Sequence, residues 1–274
     1  MIKNSSASRL SVLLSAMQLD DWHYIDKLNI SGNALIINQC DREGDERTEE
    51  TNRYVRFIST KERGLSKSRN MALREAESEI CIFCDNDVKY GQNYEEKILW
   101  EFDRMKEADI IVFFIERPER HKPIFKHRRR MGVLSTMKVF SPELAFRREK
   151  VLEAGLCMHE DFGAGARYSM GEENIFLYDA MRAGLKIYYA PVKIASLIEN
   201  ESTWFKGYTK EFFMNRGAGY LRMAGRFYHI LIWQFALRKK KQYAPDNMSF
   251  TDALRYMYRG ADEYERSKNI SHRR

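Results

Sequence analysis

Residues 81–87 read Cys81-Ile82-Phe83-Cys84-Asp85-Asn86-Asp87, an apolar run that stops at two carboxylates one residue apart. A short run that is apolar on every residue, following a helix-like segment, is the signature of a strand buried on both faces of a parallel sheet. Open parallel sheets bind their ligands at the carboxyl ends of their strands. Asp85 and Asp87 stand at that end. Two neighbouring carboxylates repel each other unless a cation lies between them. A hard divalent ion carrying a diphosphate is the natural guest, because Mg²⁺ takes one or two carboxylates together with phosphate oxygens.

Upstream of this run, Leu10–Met17 and Asn33–Asp41 are two more apolar stretches ending in polar residues. Tyr54–Thr60 is a third strand, of alternating character. A short helix is expected over Asp20–Leu28 and a charged, mobile loop over Arg42–Asn52. This succession is the opening of a doubly wound α/β fold. Gly64-Leu65-Ser66-Lys67-Ser68-Arg69-Asn70 then runs into a helix. A glycine and serines at a helix start, with basic side chains on the first turn, form an anion site, or simply a capped helix with a solvated basic face.

Downstream, Tyr94–Lys106 has the apolar spacing of an amphipathic helix and Ala108–Glu116 is another buried strand. His121–Arg130 is a basic loop. A glycine-rich loop, Phe162–Tyr168, precedes Gly171-Glu172-Glu173-Asn174 and a helix from about Ile175. Adjacent carboxylates at a helix start complement the helix dipole. Behind a loop able to fold over substrate, a carboxylate on a rigid helix end also fits a general base. Beyond Glu201 the chain turns aromatic and basic, and His229–Leu237 is followed by Arg238-Lys239-Lys240-Lys241. A domain boundary is expected at residue 200, with a helical extension over 201–274.

Bulk properties narrow the partners. With 46 Lys and Arg against 39 Asp and Glu, the chain carries a net charge of +7. An anionic partner follows: a nucleotide diphosphate, an anionic lipid or a nucleic acid. The basic residues are dispersed among many acids, which argues against nucleic acid. The four cysteines form no disulfide framework and read as reduced thiols of a cytoplasmic protein. Cys81 and Cys84 make a CxxC, but a strand sends residues three apart to opposite faces, so core packing is favoured over zinc. Residues 1–8 are short and polar rather than a signal peptide, and no apolar run reaches the ~20 residues of a membrane span. Trp233 with its basic flank fits two readings equally: peripheral membrane contact through 225–241, at the inner face of the plasma membrane, or a helix packed on the main domain with a solvated basic end.

Taken in order, LSVLLSAM (10–17), the NQCD strand end (38–41), GLSKSRN (64–70), DND (85–87) and GEEN (171–174) resemble family 2 glycosyltransferases. Each motif alone is weak; their order and spacing carry the resemblance, over roughly residues 10–200. The tail is similar to that of enzymes from bacterial capsule and O-antigen biosynthesis. The resemblance implies a GT-A fold, a doubly wound, mostly parallel sheet flanked by helices. It also implies inverting transfer from a nucleotide-diphosphate sugar, UDP-sugar favoured, to a saccharide or lipid-linked acceptor. Ser15 and Asp41 would hold base and ribose, Arg69 the diphosphate, and Asp85 and Asp87 the ribose and a Mn²⁺ or Mg²⁺ ion. The base would be Glu173, where relatives more often carry Asp, with Glu172 as the alternative. Relatives often place a metal-binding His where this chain has Glu199-Asn200-Glu201.

Three rival readings follow from the same residues. A haloacid-dehalogenase-like phosphatase also places Asp-x-Asp after a buried strand, but it wants Thr or Val where Lys89 stands. A sugar-nucleotide pyrophosphorylase wants a glycine-rich signature near the first strand, which is missing. A basic nucleic-acid-binding protein is the reading from a different class.

Overall fold

The computed structural model describes residues 8–50, 53–198 and 207–271. By its contacts the chain divides into two compact units, Met1–Met158 with Phe176–Asn200, and His159–Ile175 with Glu201–Arg274. The glycine-rich segment His159–Ile175, which the sequence places in the first domain, therefore groups with the second unit. Glu199-Asn200-Glu201 lies outside the described residues, as does the aromatic stretch Ser202–Lys206.

The first unit is built on one mixed sheet. In chain order its elements are β1 (Leu10–Met17), α1 (Tyr24–Lys27), β2 (Asn33–Gln39), β3 (Gly44–Glu50), β4 (Arg53–Thr60), α2 (Leu65–Glu75), β5 (Ile80–Asp85), β6 (Val88–Tyr90), α3 (Tyr94–Arg104), β7 (Ile110–Glu116), β8 (Arg129–Arg130), α4 (Val133–Thr136), β9 (Leu144–Arg147), α5 (Arg148–Glu153), α6 (Glu172–Arg182) and β10 (Ile187–Leu197). Helix α6 begins in the second unit and continues into the first. The strand order is β3-β4-β2-β1-β5-β9-β7-β10-β6, with β8 paired to β10. Strands β4, β2, β1 and β5 run parallel. Chain order moves outward from β1 through β2 to β4, then returns to the other side of β1 at β5. That reversal is the switch point at which open α/β sheets bind ligands.

The apolar runs form strands because both faces of the sheet are covered. Val12, Leu14, Ile36, Ile82 and Cys84 enter one core with Ile98 and Phe102 of α3. Leu13, Ile37, Cys81 and Phe83 enter the other with Phe146 and Phe176. The CxxC is thus divided between two cores. Burial pushes the Cys81 thiol up to about 12 and that of Cys84 well above its ordinary value. Both thiols are held in the protonated, unreactive form.

Two expectations need correction, and one strand is added to the mostly parallel sheet. Arg42–Asn52 is not a loop throughout: Gly44–Glu50 forms the antiparallel edge strand β3 against β4. Its charged sequence hides the strand, and charge on an edge also blocks pairing with another chain. Helix α1 is only one turn, Tyr24–Lys27. β9 inserts antiparallel between β5 and β7, so the sheet is mixed at its centre.

The second unit contains α7 (Lys210–Ala224), α8 (Tyr228–Tyr243) and α9 (Phe250–Ser271). Thr209 caps α7, its hydroxyl accepting from the Phe212 N–H at 3.2 Å. Helices α7 and α9 touch backbone to backbone at two glycines. A Cβ at Gly217 would lie 1.8 Å from the Met257 carbonyl oxygen, and one at Gly260 2.0 Å from that of Met214. Only residues without side chains permit that approach. Phe235 of α8 meets the rings of Phe212, Phe213 and Tyr220. In the segment 159–175, Phe162 stacks on Tyr168 and both rings meet Tyr264 of α9. Among the described residues no helix is long and apolar enough to cross a membrane.

Candidate active site

The carboxyl ends of β1 and β5 lie side by side, and their parallel register pairs Ser15 with Asp85. Asp85 ends β5, and Asn86 and Asp87 form the turn into β6. The chain beyond β10 pins this turn, with the Ile198 N–H donating to the Asp87 carbonyl at 2.7 Å. The Tyr24 hydroxyl donates to the Asn86 carbonyl at 3.0 Å. The two aspartates are therefore held on a braced turn at the switch point.

Helix α2 starts after Gly64, whose φ of 123° favours glycine. The Gly64 N–H is fixed by the Gln39 side-chain oxygen at 2.7 Å, which ties the helix start to the end of β2. On the first turn, the Ser68 hydroxyl donates to the Ser15 hydroxyl at 2.9 Å. One residue on, Arg69 is only 1% exposed. Its guanidinium donates to Asp85 Oδ1 at 2.8 Å and to the Ser141 hydroxyl at 2.9 Å, and it lies over the Phe83 ring. Arg69 is thus the internal counter-ion of Asp85, buried beneath it. Asn70 clamps the end of the first unit: its amide donates to the Met158 carbonyl and its oxygen accepts the Met158 N–H.

Asp87 has a different environment. Its Oδ1 is buried and has no hydrogen-bond partner. Burial, reinforced by the charge of Asp85, raises its proton affinity above the ordinary carboxylate value. A buried carboxylate oxygen without a donor is strongly disfavoured as a bare anion. A proton or a metal ion relieves that cost. Among the described residues no group of three or more His, Cys, Asp or Glu side chains is arranged to hold a metal. Asp85 and Asp87 nonetheless fit an ion that completes its shell with phosphate oxygens and water, as Mg²⁺ commonly does.

The remaining candidates are Asp41, Glu172 and Glu173. Asp41, past the end of β2, has a side chain 91% exposed and is held by Arg63 at 2.6 Å. Arg63 also donates to the carbonyls of Cys40 and Thr60, so it fastens the ends of β2 and β4 together. Glu172 and Glu173 open α6 and fall in the second unit. Glu172 is buried and Glu173 half-buried, behind Gly171 at a φ of 95°. Three groups of the Asp85 cluster escaped the sequence reading. Ser68 had a signal, its place on the GLSKSRN turn. Gln39 had a fainter one, at a strand end. Ser141 had none, since its partner Arg69 lies 72 residues away.

The sequence matches Glycosyl transferase family 2 over residues 36–172, half of the chain. The chain belongs to this family. It is a glycosyltransferase, and the DND turn at the switch point falls inside the matched region. The fold is similar to that of S. aureus TarS. A structure of TarS residues 1–349 in complex with UDP-GlcNAc aligns with TM-score 0.58 at 16% identity, covering 96% of this chain and 91% of that one. TarS 1–349 alone aligns with TM-score 0.56 at 14% identity, with the same coverage. Against a longer TarS structure the chain covers 54% of the other's length, at 15% identity. The shared architecture is the GT-A fold, a mostly parallel sheet flanked by helices with a helical C-terminal region. A search of the curated proteins gives no match.

Proposed function

We propose that this glycosyltransferase moves a sugar from a nucleotide-diphosphate donor, a UDP-sugar, to a hydroxyl of a saccharide or lipid-linked acceptor, with inversion at the anomeric carbon. The observation that carries this reading is the buried, donorless Asp87 oxygen beside Asp85 at the switch point of a family 2 chain. Structures of S. aureus TarS, which has this fold, contain UDP-GlcNAc and UDP, and they support the choice of donor.

Asp85 and Asp87 are the residues that would hold a Mn²⁺ or Mg²⁺ ion. When bound, such an ion neutralises the charge that develops on the departing nucleoside diphosphate. The chain's own residues do the rest. Arg69 holds Asp85 in place from below through their ion pair. Ser68 orients the Ser15 hydroxyl at the end of β1, where base and ribose are proposed to lie with Asp41. Glu173 accepts the proton of the acceptor hydroxyl as that oxygen bonds to the anomeric carbon. The bond from that carbon to the β-phosphate oxygen breaks, and the nucleoside diphosphate leaves with the electron pair. Attack from the face opposite the leaving group inverts the configuration. Glu172 is the alternative base.

The test is metal-dependent release of UDP from UDP-sugars. Release should stop with EDTA and return with Mn²⁺, and Asp87→Ala should abolish it while leaving the fold intact. Glu173→Gln should lower transfer by about 10²–10⁴-fold, the usual contribution of a general base. Near-normal turnover of Glu173→Gln with loss in Glu172→Gln would move the base to Glu172. Donor hydrolysis that persists in EDTA would overturn the metal assignment.

A further inference from the structure

Helix α8 presents an apolar stripe to solvent. Ile230, Trp233 and Leu237, with Phe227 just before the helix, are spaced three, three and four residues apart and share one face. They rank among the exposed large hydrophobic residues of the protein, Ile230 at 65% and Leu237 at 62%. The opposite face, with Leu231, Ile232, Phe235 and Ala236, is buried. Trp233 is set in place rather than loose, its indole N–H donating to the Tyr258 hydroxyl at 3.1 Å.

We propose that this stripe is the surface by which the enzyme docks on an anionic bilayer. Charge selects the occupant. Arg226, Arg238, Lys240 and Lys241 are exposed around the stripe, and residues 225–243 contain no Asp or Glu. A second copy meeting this helix through the same face would set cation against cation. A nucleic acid would leave the apolar groups uncovered. A bilayer of anionic lipid satisfies both: the aliphatic and indole groups enter the interface while the basic groups reach the phosphates. The helix lies in the interface rather than crossing it. The proposal deepens the reading of a lipid-linked acceptor, and its test is separable from that reading because it needs no sugar transfer.

The full chain is floated with vesicles of phosphatidylglycerol mixed with phosphatidylcholine, and with phosphatidylcholine alone. It should float with the anionic vesicles and not with the neutral ones. Ile230→Asn with Leu237→Asn should lower partitioning at least about tenfold, through lost apolar burial. Lys240→Glu with Lys241→Glu should do so as well, since each charge near an anionic surface contributes about fivefold. All four positions are exposed, so melting temperature and release of UDP from soluble UDP-sugar should be unchanged. Three results would overturn the proposal: no flotation of the unmodified chain, equal flotation of the chain and both variants, or a solution dimer that the Asn variant converts to monomer.

Discussion

At the scale of single residues, the most consequential contact is the ion pair between Arg69 and Asp85. Sequence places Arg69 on a basic first turn of the kind that receives phosphate. In the fold the same side chain is buried and committed to Asp85 and Ser141. Its charge faces the strand end through Asp85. Removing one partner of a buried pair leaves the other uncompensated, so Arg69→Met should cost about 3 kcal/mol in urea unfolding. Ser141→Ala, which removes one hydrogen bond to the guanidinium, should cost about 1 kcal/mol. In a double-mutant cycle, Arg69→Met with Asp85→Asn should recover part of the loss, and additive effects would show that the pair is not coupled.

Elements are held by contacts of another kind. The crossing of α7 and α9 depends on Gly217 and Gly260 facing backbone carbonyls. Alanine adds one methyl where the obstructing atom is a main-chain oxygen that no rotamer change can move. Gly217→Ala and Gly260→Ala should each cost about 3 kcal/mol, at the upper end of overpacking effects. Melting followed by circular dichroism would show it as loss of helix. At the sheet edge, β3 is fixed by charge: Arg56 donates to both oxygens of Asp45, at 2.9 and 2.7 Å. Its seven residues, GDERTEE, contain no apolar side chain, so periodicity offers no sign of a strand. Pairing with β4 supplies what the sequence pattern lacks.

For the whole molecule, ion pairing at the surface sets the response to acid. The Arg56 hydrogen bonds hold the Asp45 carboxyl below its usual range, and those of Arg9 do the same for Glu79. A depressed folded value contributes stability above the ordinary carboxylate range, and that stability is lost as pH falls through about 4 and below. Melting temperature should therefore drop over that window, and Arg56→Met should flatten the drop. Salt should weaken the effect, because both carboxylates are partly exposed to solvent. Ligand linkage offers a second whole-molecule measurement. UDP at about 100 times its Kd, with Mn²⁺, should add about 2.7 kcal/mol of stability, and Asp87→Ala should remove that gain.

The sequence by itself determined the architecture and the sheet edge at which a ligand site is proposed. Buried parallel strands must be apolar on both faces, so their runs are legible, and the carboxylates that end β5 mark the ligand side of the sheet. Tertiary structure alone decided how those carboxylates differ. Asp85 received Arg69 as counter-ion and Ser141 as that arginine's second acceptor, whereas Asp87 kept a buried oxygen without a donor. Tertiary structure likewise decided the inserted β9, the charged β3 and the glycine crossing of α7 with α9. The physical reason is range: periodicity records which face of an element is buried, while the partner a buried polar group finds depends on residues tens of positions away.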